Sequence, residues 1–207
     1  MTRLLGRVLP ALAALTPIAS PAFAHHAMGG KLPTTFAEGL LSGLAHPVLG
    51  PDHFAFVIAI GIAAALVPAG IGVIGAFFAA SAAGILLHLG AWNLPLAEIL
   101  VAATVVVAGA LVAFGNRAGS AAWLTLAAIA GLVHGYALGE SIVGADRGVL
   151  GAYLIGLAIT ASCIAAAIMV LTRRYLSIST AAASRLRTIG AVVGCVGLAM
   201  LAINLTA

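Results

Sequence analysis

Charge is what this sequence has least of. Its 207 residues include nine Lys or Arg and five Asp or Glu, 7% in all, where a soluble domain carries about a quarter. Hydrophobic residues make up 63% and the mean hydropathy is +1.23. These values exclude an ordinary soluble domain and imply a membrane protein. The net charge of +4 comes from arginines in short stretches between apolar runs. With no continuous basic arm, it reads as membrane topology and not as nucleic-acid binding. Cysteine is scarce too. Cys163 and Cys195 lie in separate apolar segments, without the spacing of zinc or iron–sulfur sites, and are expected to be small buried hydrophobes. No Gly-x4-Gly-Lys-Ser/Thr loop is present, so the chain does not itself hydrolyse ATP. There is no His-Glu-x-x-His motif, no internal repeat, and little mass outside the apolar runs for a soluble domain.

What is present is a series of apolar segments. Met1 to Arg7 is a basic start, Val8 to Ile18 an apolar core shorter than a span, and Ala22-Phe23-Ala24 a small-residue cleavage site. Together they read as a signal peptide over residues 1–24, with a mature chain from His25. Residues 25–207 are expected to form one all-α domain, a polytopic membrane bundle of about six transmembrane helices. The expected spans are Asp52 to Val67, Gly70 to Leu89, Pro95 to Phe114, Ser120 to Gly139, Val149 to Thr172 and Leu186 to Leu205, preceded by a shorter helix from Thr34 to Ala45. Arg173, Arg174, Arg185 and Arg187 mark one loop and Arg117 another, so both are expected to be cytoplasmic. Both termini of the mature chain are then periplasmic, in a bacterial inner membrane.

Ionisable groups inside a bilayer are costly, so each is a functional candidate. Here they form clusters: His46 with Asp52 and His53 at the start of the first span, and His134 with Glu140 near the end of the fourth. His88 and Glu98 lie at the same expected end of the bundle, and His25 and His26 would lead the mature chain. Taken singly, His46, Glu98 and His88 also read as interfacial residues, and His25 and His26 as a loose tip. Imidazoles and carboxylates from separate segments suit a borderline divalent metal ion such as nickel, cobalt, copper or zinc, which ligand type alone does not separate. The absence of thiolates keeps such a site weak enough to release its ion. Pro47, Gly50 and Pro51 are expected to interrupt the helix at the first cluster, with Asp52 offsetting the positive helix start. Gly131, Gly135 and Gly139 form a smooth strip for a neighbouring helix. His134 and Glu140 point about 120° apart on a straight helix, so they share an ion only if it unwinds near Gly139.

In these residues the sequence resembles the HupE/UreJ family of hydrogenase/urease accessory permeases. His46, Asp52 and His53 match its His-x5-Asp-His motif. His134, Gly135, Ala137, Gly139 and Glu140 match its Phe-His-Gly-x-Ala/Val-x-Gly-Glu motif, with Val133 in place of Phe. The resemblance implies about six spans after a signal peptide and uptake of nickel, in some members cobalt, through His46, Asp52, His53, His134 and Glu140.

The leading expectation is therefore a secondary permease, not an enzyme. It takes a divalent ion from the periplasmic side, has no permanently bound cofactor, and has His88, Glu98, His25 and His26 as further metal candidates. The membrane potential offers a divalent ion about 4.6 kcal/mol per 100 mV. The alternatives are a membrane-embedded zinc metallohydrolase and a haem protein with histidine axial ligands. The expected partners are the metal ion and the lipid bilayer, with no nucleic acid. A homo-oligomer and downstream metalloenzyme maturation factors are left open.

Overall fold

The computed structural model describes residues 31–115 and 118–206. The expected signal peptide, His25, His26 and Arg117 lie outside them. Among the described residues there are seven helices: α1 (Phe36–Leu49), α2 (Pro51–Leu66), α3 (Gly70–Leu89), α4 (Ala97–Ala113), α5 (Gly119–Glu140), α6 (Arg147–Ile178) and α7 (Ala182–Thr206). No strand occurs among them.

Helix α1 begins with a capping box: Thr35 Oγ1 accepts the Glu38 N–H, and the Glu38 carboxylate accepts the Thr35 N–H, both at 3.2 Å. The expected stop at Ala45 is corrected, because the helix runs through Pro47 to Leu49. The break comes at Gly50, whose extended backbone (φ −80°, ψ 110°) is what a residue before proline prefers. Pro51 then opens α2 with its ring angle already helical. The chain bends by 75° between α1 and α2.

Helix α2 is the centre of the bundle, and Phe56, Ala59, Ile60, Ala63 and Ala64 on it are wholly buried. Around it lie three close helix pairs, α3 with α5, α4 with α7, and α1 with α6. Each pair meets backbone to backbone. A Cβ on Gly135 would strike the Ser81 carbonyl oxygen, one on Gly109 would strike the Gly194 amide, and one on Gly43 would strike the Tyr153 carbonyl oxygen. The expected strip along α5 therefore receives α3. Where water offers no extra drive for apolar association, such close packing is what holds helices together.

The outer faces are apolar, with Ile71 75%, Leu86 67% and Ile129 56% exposed, as suits a surface solvated by lipid. Cys163 and Cys195 are free and exposed, which corrects the expectation that they are buried. A small apolar side chain gains nothing by avoiding a hydrocarbon solvent. Helices α3, α5, α6 and α7 are each long and apolar enough to cross a membrane, and α1 with α2 qualifies as one bent span or a re-entrant loop. That makes four or five candidate spans against the six expected, because α2 has 16 residues and α4 has 17, short of the ~20 a full crossing takes.

Candidate functional site

The break at Gly50 places His46 in the last turn of α1 and Asp52 and His53 in the first turn of α2. Both histidines and Asp52 are buried, and His134 of α5 is buried beside them. Asp52 Oδ1 accepts the His53 N–H at 2.8 Å, which puts a carboxylate at the positive start of the helix as expected. The three imidazoles form a row: ring centroids are 5.7 Å apart for His46 and His53 and 5.0 Å for His53 and His134. His53 Nδ1 lies 2.8 Å from His134 Nδ1.

Hydroxyl groups set the proton positions in this row. Thr104 Oγ1 donates to the Val101 carbonyl oxygen at 2.7 Å, which uses its only proton. At 2.9 Å from His134 Nε2 it must therefore accept, so Nε2 carries the proton of a neutral His134. His134 Nδ1 is then a lone pair, and His53 Nδ1 donates to it. At the other end of the row, His46 Nδ1 lies 3.0 Å from Tyr153 Oη and 3.3 Å from Ser141 Oγ. Both hydroxyls also contact the Leu138 carbonyl oxygen, at 3.0 and 3.1 Å. With Nδ1 engaged there, any metal bond from His46 falls to Nε2. Such outer hydrogen bonds fix ring orientation and raise ligand basicity.

A cavity of about 20 Å³ adjoins His53 and His134, walled by Val57, Phe77, Phe78 and Ser81. That is room for a water or a single ion. Among the described residues no set of three or more His, Cys, Asp or Glu side chains is arranged to hold a metal ion. The two imidazoles on the cavity spend their facing nitrogens on each other.

The remaining expected residues are not brought into this group. Helix α5 stays wound through Glu140, and Glu140 is exposed, so the unwinding that would bring it to His134 does not occur. His88 packs its ring 4.4 Å from that of Tyr136, outside the cavity wall. Glu98 is half-buried in the first turn of α4, where its carbonyl oxygen accepts from Asn204 Nδ2 at 3.3 Å. Ser81, Thr104, Ser141 and Tyr153 do not stand out in the sequence, because a neutral hydroxyl in an apolar run gives no charge signal.

Residues 13–200 match the family model described as HupE / UreJ protein, a stretch that includes both motifs and every member of the histidine row. The chain belongs to the HupE/UreJ family. Among curated HupE/UreJ proteins it is similar to Protein HupE of Rhizobium leguminosarum bv. viciae, at 32% identity over 133 residues. The match covers 60% of this chain and 64% of that protein, so the chain spans just under two thirds of the relative's length. No solved structure matches this HupE/UreJ chain.

Proposed function

We propose that this chain is a secondary permease for a divalent transition-metal ion, nickel or cobalt. The ion enters from the periplasmic side and leaves in the cytoplasm, and the chain crosses the inner membrane about six times. The observation that carries this reading is the buried His53–His134 contact, at 2.8 Å between Nδ1 atoms, with His46 and the Asp52 carboxylate alongside. Neutral imidazoles suit such ions, and Asp52 supplies negative charge. Bonds of about 2.0–2.1 Å from two imidazoles to one ion need the proton between them to move from His53 Nδ1 to His53 Nε2, a change of tautomer that keeps both rings neutral. The rings then separate slightly, and the ion takes the proton's place.

The cavity favours this reading over its rivals. A space of about 20 Å³ takes an ion and not a porphyrin, which counts against the haem alternative. A resident catalytic zinc needs three convergent protein ligands, and the described residues present no such set. A weaker site is what release of a passenger ion requires.

The test is accumulation of nickel and cobalt in a host without its own high-affinity uptake, at matched membrane abundance. Wild type should raise accumulation of at least one of the two metals, and His53→Ala and His134→Ala should each reduce it to background. Glu140→Ala measures whether the exposed carboxylate belongs to the path. No rise with the wild type for either metal would sink the assignment.

A further inference from the structure

Ser81 of α3 is 4% exposed, and its Oγ is buried without a hydrogen-bond partner. Packing alone favours alanine at such a position, since a buried hydroxyl that makes no bond is destabilising. The hydroxyl is not isolated from the chemistry. Ser81 lines the same small cavity as His53 and His134, whose other walls are apolar. Gly135, directly after His134, is what admits the α3 backbone at Ser81 against α5. This close approach of α3 to α5 therefore brings a buried hydroxyl to the cavity of the imidazole pair.

We propose that Ser81 Oγ is a direct ligand of the passing metal ion, the third point of a transit site with His53 and His134. This rests on the permease reading. A neutral alcohol oxygen is a poor ligand beside imidazole or thiolate, and two imidazoles plus a hydroxyl bind a divalent ion without trapping it. It also fits a cavity whose lining, among the described residues, has no His, Cys, Asp or Glu besides His53 and His134. The ion offers the hydroxyl the partner it otherwise lacks, and Ser81 keeps the cavity from being a wholly apolar step beyond the histidines.

Two variants of the full chain test this, made with Cys163→Ala and Cys195→Ala so that no other thiol is present. Ser81→Ala should raise the apparent KM for nickel or cobalt uptake about threefold to tenfold, the value of one lost polar contact. Its thermal stability in detergent should be unchanged or higher. Ser81→Cys, purified and given cobalt(II), should develop a sulfur-to-cobalt charge-transfer absorption that the cysteine-free parent lacks. If wild type takes up metal and Ser81→Ala matches its KM, the Ser81 proposal falls while the permease stands. If wild type takes up neither metal, the permease reading fails and the cobalt spectrum alone decides whether the cavity binds metal. A folded Ser81→Cys protein without that absorption overturns the proposal in either case.

Discussion

Thr104 shows how one neutral side chain governs an ionisable neighbour's chemistry. Its proton goes to the Val101 carbonyl oxygen, so it presents only a lone pair to His134 Nε2. Thr104→Val keeps the shape and removes that acceptor, stranding a buried N–H at a cost of about 1–3 kcal/mol. His134 then no longer has Nδ1 held as the lone pair facing His53. Metal uptake is expected to fall about tenfold, in the range of lost outer-ring partners. Thr104→Ser should restore most of it, and equal loss in both variants would refute the role. At this scale legibility followed charge. His46, Asp52, His53 and His134 stood out because an ionisable group in a bilayer needs a reason to be there. Thr104, Ser81 and Tyr153 cost little to insert and are found only by seeing what they touch. Glu140 carried a charge and still lies exposed, because the wound end of α5 points it away from His134.

The helices were largely legible from apolar runs punctuated by Gly, Pro and Arg, and α3 ends where expected, at Gly70 and Leu89. In the sequence Pro47 reads as a stop, yet α1 runs past it to Leu49. A proline in the last turn removes one hydrogen bond but can remain helical, whereas the Gly50-Pro51 step cannot continue the helix. The strip on α5 was visible as Gly131, Gly135 and Gly139, but its partner was not, since any helix with small residues would fit. Packing now separates glycines that look alike in sequence. A Cβ on Gly135 would strike backbone at Ser81, while one on Gly75 of α3 would meet nothing within 4 Å. Gly135→Ala should destabilise the protein by about 1–3 kcal/mol through overpacking. Gly75→Ala should be neutral or stabilising by about 0.5–1 kcal/mol through reduced backbone entropy in the unfolded chain. Thermal unfolding in detergent reads both, and equal stability of the two variants would refute the backbone contact.

Among the described residues, the histidine row and the arginines of the α6–α7 turn lie at opposite ends of the bundle. The histidine row sits at the start of α2, whereas Arg173 Nη2 donates to the Ala64 carbonyl oxygen at its far end, 3.1 Å away. A guanidinium there satisfies a carbonyl of the last turn and suits the negative helix terminus. Arg185 lies 6.0 Å from the Tyr175 ring centroid, and Arg187 lies beside the Gly115 turn, so the α6–α7 and α4–α5 turns share one basic end. At 32 residues, α6 is about 48 Å long at 1.5 Å per residue, well beyond a ~30 Å hydrocarbon core. Its last turns, with Arg173 and Arg174, therefore extend past the hydrocarbon on the basic side. In the proposed orientation, which follows the positive-inside rule, that end lies in the cytoplasm and the histidine end opens to the periplasm. The prediction is made for chains in which Cys163 and Cys195 are alanine and one new cysteine is introduced. Val143→Cys, in the turn between α5 and α6, should react with a membrane-impermeant maleimide from the periplasmic side of intact inner membrane. Thr180→Cys, in the turn between α6 and α7, should react only after that membrane is opened. The reverse pattern would invert the bundle and make its histidine row face the cytoplasm, a geometry for export rather than uptake.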